Sequence, residues 1–311
     1  MGIQPNAVCV VLACVTVVFI HSVGSQTEPK IRHARAIGGQ PISRGSQPWL
    51  VLLKATIVTR RFLGIPIGHR HVFCGGSVLN DYWILSAAHC FKDYGREARL
   101  ASNWEVRLAS VHLRATPTER ILHFLGRLFD MRDWLQWEID VERIVVHPAY
   151  NRSSIWANDI ALVKLKRKVP SGPTFSYIRK LHLPLMNETD FPLVHQECQM
   201  SGWGCTVNGG GASRVARLIT MPVYSSSRCR RHYHVKMENR ICAGYRNRGV
   251  GVCAGDSGSS LVCHENGRDL VAGVVSFTSR DRPGSYPAVF TKVTPYVSWI
   301  NDIISNGQRS Q

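Results

Sequence analysis

The chain has 311 residues, of which 44% are hydrophobic; this is enough to form a large core and excludes a mainly disordered protein. Lys and Arg number 38 against 21 Asp and Glu, so the formal net charge is +17. A surface of this charge attracts anionic glycosaminoglycans or acidic proteins, or simply keeps the protein in solution. No nucleic-acid-binding motif accompanies the charge, so we expect no nucleic-acid partner.

Residues 1–25 have the pattern of a signal peptide. An uncharged run extends from Ala7 to Ile20, and small residues follow it up to Ser25, near the expected cleavage. A membrane anchor is the alternative, but the run is shorter than the ~20 residues that a spanning helix needs. The sequence therefore predicts a secreted, extracellular protein without a membrane span, in which disulfides can form.

The segment from Trp49 to Lys168 contains short runs of Val, Ile and Leu that are separated by turn residues. This pattern is typical of an antiparallel barrel. Its first hairpin is enlarged and strongly basic, and it is interpreted as a solvated loop or as a wall beside a cleft. The basic residues are Arg60, Arg61, His69, Arg70 and His71.

An insert at residues 112–138 predicts an amphipathic helix. Thr116 is the expected N-cap, Pro117 occupies the first helical position and Glu119 completes a capping box. Apolar residues then recur at helical spacing. The helix either packs on the barrel or forms an exposed surface for a partner or lipid.

Residues 170–192 are bounded by prolines and predict a connector, and strands of a second barrel follow from Cys198. At the end of the chain, Thr294-Pro295 begins an amphipathic helix. Val297, Ile300 and Ile304 share one face of it, and Gly307 is the expected stop.

Three short motifs carry the chemistry. Ser257 lies between glycines in Gly255-Asp256-Ser257-Gly258, His89 ends the run Ser-Ala-Ala-His, and Asp159 begins the apolar run Asp-Ile-Ala-Leu. A serine hydroxyl needs a neighbouring base, and the base needs a group to orient it. Each motif alone could be an ordinary turn, a packed histidine or a strand cap. Their order, His then Asp then Ser, is a known order for a catalytic triad.

Together these motifs resemble the trypsin and chymotrypsin family of serine proteases, from about Ala36 to about Asn306. The resemblance implies an all-β fold of two packed antiparallel six-stranded β-barrels with a C-terminal α-helix. It also implies a serine-type endopeptidase that hydrolyses proteins or peptides through an acyl-enzyme and uses no cofactor. An esterase of another fold is disfavoured, because no strand, elbow and helix pattern surrounds Ser257.

Activation by cleavage is a further implication of the resemblance. Residues 26–35 would be a propeptide removed by an activating protease after Arg35, leaving a domain at 36–306 and a tail at 307–311. The new amino group of Ala36 would pair with Asp256 and so form the oxyanion hole. Ala36 stands where the family usually has isoleucine, which weakens this docking by roughly 2 kcal/mol unless the pocket is correspondingly smaller.

The family pattern also assigns the substrate-binding groups. The N–H groups of Gly255 and Ser257 are the expected oxyanion hole. Gly251 would stand at the base of the specificity pocket, where trypsin-like enzymes carry aspartate, so a trypsin-like preference is disfavoured. The expected pocket residues are Gly251, Ser276, Thr278, Asp281 and Ala288. Thr278 and Ala288 would favour small or medium apolar side chains, unless Asp281 points inward and recruits a basic one.

Eight cysteines remain after Cys9 and Cys14 leave with the signal peptide. The resemblance implies that Cys74 pairs with Cys90, Cys198 with Cys263 and Cys229 with Cys242. We hypothesise that the remaining two, Cys205 and Cys253, form a fourth bridge, because Asp281 occupies the place of the usual partner of Cys253.

The remaining expectations concern modification, metals and partners. Asn151 and Asn187 lie in glycosylation motifs. Ser110 and His112 are poor calcium ligands, so no structural metal is predicted. Serpin-type inhibitors are expected partners of an active protease. The alternative function is a weakly active or non-catalytic homologue that acts as a secreted binding or regulatory protein.

Overall fold

The computed structural model describes residues 39–63, 65–117, 121, 138–186, 188 and 190–309. The predicted signal peptide, propeptide and Arg35-Ala36 bond lie outside these residues. So do Asn187 and most of the predicted helix in the insert at 112–138. None of the helices in the described ranges is long and apolar enough to cross a membrane.

Strand β1 (Gln40–Pro41) precedes two antiparallel barrels, the first of which is closed by six strands in the order β2-β3-β4-β7-β6-β5. Large apolar side chains fill it, among them the fully buried Trp83 and Trp104. The strands are β2 (Leu50–Phe62), β3 (Ile65–Val78), β4 (Trp83–Ser86), β5 (Trp104–Leu108), β6 (Glu138–Val146) and β7 (Ala161–Leu165).

The second barrel has the strand order β9-β10-β13-β12-β11-β8, and β8 pairs back with β9 to close it. β1 adds to the outside of β9 through Gln40 and Pro41. The strands are β8 (Glu197–Gly202), β9 (Arg217–Tyr224), β10 (Arg240–Ala243), β11 (Ser260–Glu265), β12 (Arg268–Phe277) and β13 (Ala288–Lys292). The predicted fold of two six-stranded antiparallel barrels is therefore confirmed.

The described helices are α1 (His89–Lys92), α2 (Ser226–Tyr233) and α3 (Val297–Arg309). Ser225 caps α2 by accepting a hydrogen bond from the backbone N–H of Arg228 at 3.4 Å. Short 3₁₀ turns occupy Glu97–Arg99, Ala101–Asn103, Pro173–Phe175, Pro283–Ser285 and Thr294–Tyr296.

The C-terminal helix α3 buries Val297 and Ile300 against the first barrel, in agreement with the predicted apolar face. The prediction that Gly307 ends this helix is wrong, because α3 continues to Arg309. A Cβ at Gly307 would lie 2.7 Å from Cζ2 of Trp83. This glycine therefore allows close packing on the barrel and does not terminate the helix.

One apolar cluster joins the two barrels. It contains the interior of the first barrel, residues of β11 and β12 such as Val262, Val271 and Val274, and the start of α3. Because this core is shared, residues that stand at the ends of strands in different barrels are held at a fixed separation.

Candidate active site

His89 is placed by the end of the first barrel. β4 runs through the buried Ala87 and Ala88 into α1, whose first residue is His89. The next residue, Cys90, forms a disulfide with Cys74 on β3, which ties α1 to the barrel. His89 is only 7% exposed, so the residues packed around it restrict the position of its ring.

Asp159 orients His89 through two contacts. Nδ1 of His89 lies 2.7 Å from Oδ2 of Asp159, and the backbone N–H of His89 donates to Oδ1 at 2.9 Å. An ionised carboxylate only accepts hydrogen bonds, so the proton of the ring is on Nδ1. Nε2 is thereby left free to act as a base.

The second barrel holds Asp159 in place. Ser276, near the end of β12, donates from Oγ to Oδ2 of Asp159 at 2.6 Å, and Thr291 on β13 donates from Oγ1 to its backbone carbonyl at 2.9 Å. Asp159 is fully buried. Sequence reasoning assigned Ser276 only to the pocket and missed Thr291, because neither contact leaves a local signal in the chain.

Opposing effects act on the pKa of His89. Burial lowers it, but the charge of Asp159 and the hydrogen bond to it raise it, and the charge of Asp93 adds to the increase. The net result is a pKa above the ordinary value of 6.5. The site therefore stabilises the imidazolium that forms when His89 accepts a proton.

Two consecutive tight turns present Ser257. The N–H of Asp256 donates to the carbonyl of Cys253 at 3.0 Å, and the N–H of Ser259 donates to the carbonyl of Asp256 at 3.0 Å. Gly255 and Gly258 occupy the third positions of these turns, with φ of 105° and 81°. A Cβ at Gly258 would overlap Ser86 and the carbonyl of Gly75. Glycine is thus needed on both sides of Ser257.

The two turns leave backbone donors available. The N–H groups of Gly255 and Ser257 donate to none of the described residues. Ser257 itself is half-buried and lines a cleft of about 290 Å³. Free donors beside a nucleophile in a cleft are the requirement for an oxyanion hole.

Hydrogen bonds between the barrels hold the Ser257 loop against the first barrel, from whose end His89 extends. The N–H of Gly75, next to the disulfide-bonded Cys74, donates to the carbonyl of Ser257 at 2.7 Å. Ser77 donates to Ser260 at 2.8 Å. Within the described residues, Oγ of Ser257 and Nε2 of His89 are not hydrogen bonded to each other, and Nε2 lies 3.9 Å from the sulfur of Cys90. Contacts of this kind often tighten only when substrate binds.

Asp256 turns away from the cleft into the second barrel. Its carboxylate accepts hydrogen bonds from the N–H of Gly204 at 2.7 Å and from the N–H of Cys253 at 3.0 Å. Burial raises the pKa of Asp256 to about 6, although these two hydrogen bonds partly oppose the increase. No cation among the described residues forms a salt bridge with it. The site therefore contains a buried carboxyl group whose charge is not compensated by a cation of the described chain.

Of the five predicted pocket residues, the structure brings Ser276 and Thr278 into the cleft with Ser257. Gly251, Asp281 and Ala288 are not among the residues that line it. Gly251 packs on the backbone of Pro283, Ala288 is buried within β13, and Asp281 is exposed.

Arg280 was missed by the sequence analysis. It lines the cleft together with apolar residues that include Val252, Val275 and Phe277. No other lining residue among those described carries a charge. The sequence predicted its neighbour Asp281 as a pocket residue. No local pattern in the sequence indicates which of these two side chains faces the cleft.

The structure pairs the eight described cysteines as Cys74–Cys90, Cys198–Cys263, Cys205–Cys253 and Cys229–Cys242. The Cys205–Cys253 bond connects the segment after β8 with the first turn of the Ser257 loop. Gly209 and Gly210, which follow Cys205, line the same cleft as Ser257. This disulfide therefore fixes one wall of the cleft.

Of the two predicted glycosylation sites, Asn151 lies within the described residues. Asn151 is exposed, and its side-chain oxygen accepts a hydrogen bond from the N–H of Ser153 at 2.9 Å. Asn187 lies outside the described residues. Within the described ranges, no group of three or more His, Cys, Asp or Glu side chains could hold a metal ion.

Comparison with known proteins places this geometry in a family. The model of the Trypsin family matches residues 36–300. Trypsin I-P1 of chicken (Gallus gallus) is 31% identical over 299 residues, which cover 96% of this chain and 98% of that protein. Trypsin-4 of rat (Rattus norvegicus) is 35% identical over 237 residues, which cover 75% of this chain and 80% of that protein. The chain therefore belongs to the trypsin family and is a serine endopeptidase.

Proposed function

We propose that this endopeptidase uses Ser257 as nucleophile, His89 as general base and Asp159 as the group that orients His89. The observation that carries the proposal is the buried pair of His89 and Asp159, in which Nδ1 and Oδ2 are 2.7 Å apart. Ser276 connects this pair with the cleft, because it donates a hydrogen bond to Asp159 and lines the same cleft as Ser257.

Hydrolysis would proceed in two acyl transfers. Oγ of Ser257 attacks the substrate carbonyl while its proton passes to Nε2 of His89, and Asp159 stabilises the resulting imidazolium. The imidazolium then donates this proton to the leaving amine, so the peptide bond breaks and an acyl-enzyme remains. A water molecule, deprotonated by His89, releases the acid and returns the proton to Ser257.

Gly255 and Ser257 would stabilise the oxyanion that forms at each step. Their unused N–H groups can donate to a carbonyl oxygen whose carbon is attacked by Ser257. A donor of this kind typically contributes roughly 3 kcal/mol to stabilisation of the transition state. The support for this role is the pair of turns that leaves both groups without a partner in the described chain.

A fluorophosphonate probe tests the nucleophile. We expect the chain, once cleaved after Arg35, to be labelled at Ser257 and not in the Ser257→Ala variant. Ser259→Ala is the matched control, because Ser259 is in the same loop but fully buried. Labelling of Ser257→Ala, or loss of labelling in both variants, would contradict the assignment. Failure of the wild-type chain to be labelled would favour the non-catalytic alternative.

We further propose that the protein is secreted as a zymogen, with a signal peptide at 1–25, a propeptide at 26–35 and a protease domain at 36–306. Asp256 supports the zymogen mechanism, because a buried carboxylate without a cationic partner gains stability when an amino terminus reaches it. N-terminal sequencing of the active protein should give Ala36. Full activity of a chain that remains intact at Arg35 would refute the proposal.

The cleft supports a specificity that is not trypsin-like. Arg280 in the wall would repel an Arg or Lys side chain of the substrate, and exposed Asp281 does not line the cleft. The prediction that small or medium apolar residues are accepted was based on Thr278 and Ala288. Thr278 lines the cleft, whereas Ala288 is buried in β13. A library of peptides that differ at the residue before the scissile bond tests this. A preference for Arg or Lys would contradict it.

The proposed partners are an activating protease, serpin-type inhibitors and an anionic glycosaminoglycan or acidic protein. Support for the anionic partner comes from α2. The pKa of His232 is lowered by burial and by the charges of Arg246, Arg228 and Arg231. These arginines are exposed and close enough to act together. Elution from immobilised heparin should need less salt for Arg228→Gln/Arg231→Gln than for the control Arg179→Gln/Lys180→Gln.

A further inference from the structure

The distal half of the β2-β3 hairpin extends beyond the first barrel. β2 pairs with β5 only from Val51 to Ala55, and β3 pairs with β4 only at Ser77 and Val78. β2 and β3 nevertheless stay paired with each other as far as Phe62 and Ile65. Residues 57–63 and 65–70, here called the projecting ribbon, therefore have strand partners in the described chain only within the ribbon itself.

The tip of the projecting ribbon is apolar and exposed. Phe62 is 64% exposed, Leu63 87%, Ile65 64% and Ile67 62%. Phe62 and Ile65 are register partners, and Ile67 lies two residues further along β3 at a register shift. Four large, exposed apolar side chains are thus concentrated at the end of one ribbon, and exposed apolar patches on soluble proteins mark interaction sites.

Basic residues lie next to the apolar tip in the projecting ribbon. Arg60, His69 and Arg70 are exposed, and Arg61 adds a further positive charge to the sequence. No Asp or Glu occurs between residues 50 and 79. The guanidinium of Arg70 lies 5.7 Å from the ring of Tyr94, which anchors the basic part of the ribbon near the barrel. Arg60 and Arg70 thus lie on the barrel side of the tip.

This order of groups fits the surface of an anionic bilayer. Apolar side chains that enter the boundary between headgroups and acyl chains gain free energy from burial, while cations just behind them reach the lipid phosphates. A second copy of the chain fits less well, because pairing two tips would bring two sets of cations together. An acidic protein would leave the apolar tip without a complementary surface.

We propose that the projecting ribbon is a peripheral membrane-binding element that inserts Phe62, Leu63 and Ile65 among anionic lipid headgroups. The element would hold the protease at a membrane surface without spanning it. This inference does not depend on the proposed triad, since the ribbon contributes none of the residues of that site.

Vesicle sedimentation tests the proposal. Ser257→Ala protein without the predicted signal peptide (residues 1–25), which cannot digest itself if the proposed mechanism holds, is mixed with vesicles of phosphatidylcholine alone or of phosphatidylcholine and phosphatidylserine. We expect binding to the mixed vesicles, and a decrease of about tenfold or more in the partition coefficient for Phe62→Ser/Leu63→Ser. Leu185→Ser/Met186→Ser is the matched control, because both residues are 63% exposed on another surface.

A second variant separates charge from insertion. Arg60→Gln/Arg61→Gln should weaken binding to the mixed vesicles and leave the low binding to neutral vesicles unchanged. The proposal is overturned if the wild-type ribbon does not bind mixed vesicles, or if the tip variant and its control bind equally. Concentration-dependent dimerisation that only the tip variant abolishes, without vesicle binding, would assign the tip to a second copy instead.

Discussion

Asp256 should make the stability of the uncleaved chain depend on pH. Its folded-state pKa is raised by burial from 3.8 to about 6. The group is therefore more easily protonated in the folded chain than in the unfolded chain. Its contribution to stability is fully present below pH 3.8 and is lost as the pH rises through about 6.

The size of this loss follows from the shift. A change of about two pKa units, at about 1.4 kcal/mol for each unit, corresponds to roughly 3 kcal/mol in the free energy of unfolding. Asp256→Asn removes the titration, although one of the N–H groups of Gly204 and Cys253 then loses its acceptor. That second effect lowers stability equally at every pH, so only the pH dependence reports the carboxyl group.

Urea unfolding of the uncleaved wild type and Asp256→Asn between pH 3.5 and 7.5 measures the effect. We expect the difference between the two proteins to change by roughly 3 kcal/mol across this range, with the wild type losing stability as the pH rises. In wild-type protein cleaved after Arg35, a docked amino terminus should lower the pKa of Asp256. Stability relative to Asp256→Asn should then increase with pH instead of decreasing. Parallel curves for the two uncleaved proteins would refute the reasoning.

Three other predictions concern the active-site region. The plot of kcat/KM against pH should rise with an inflection above pH 6.5, because His89 must be neutral to accept a proton and its pKa is raised. Asp159→Asn should move this inflection to a lower pH and decrease kcat. An inflection at an unchanged pH would contradict the role of Asp159. Ser259→Ala should stabilise the fold by about 1 kcal/mol, because the buried Oγ has no hydrogen-bond partner among the described residues. The midpoint of unfolding should rise, and a lower midpoint would show that this hydroxyl is hydrogen bonded. Gly258→Ala should destabilise the Ser257 loop by at least about 1 kcal/mol and reduce fluorophosphonate labelling. The reasons are that the φ angle of Gly258 is 81° and that Ser86 occupies the space a Cβ would need. Unchanged labelling and stability would contradict the geometry of this turn.

Much of the fold was predictable because its signals are local. Alternating apolar strands and turn residues indicated the barrels, and the spacing of Val297, Ile300 and Ile304 indicated the last helix. The stop at Gly307 was predicted wrongly because a glycine that ends a helix and one that allows close packing look alike in a sequence. Contact with Trp83, which is more than 200 residues away along the chain, decides between them.

The sequence by itself determined the family, the barrels and the residue types of the candidate triad, because each depends on a short motif or on periodicity within one element. Only the tertiary structure decided which side chains surround that triad. Ser276 and Thr291 contact Asp159 from the other barrel, and Arg280 lines the cleft where Asp281 does not. Contacts between distant segments depend on how the barrels pack and which way each loop turns, and no local pattern encodes either.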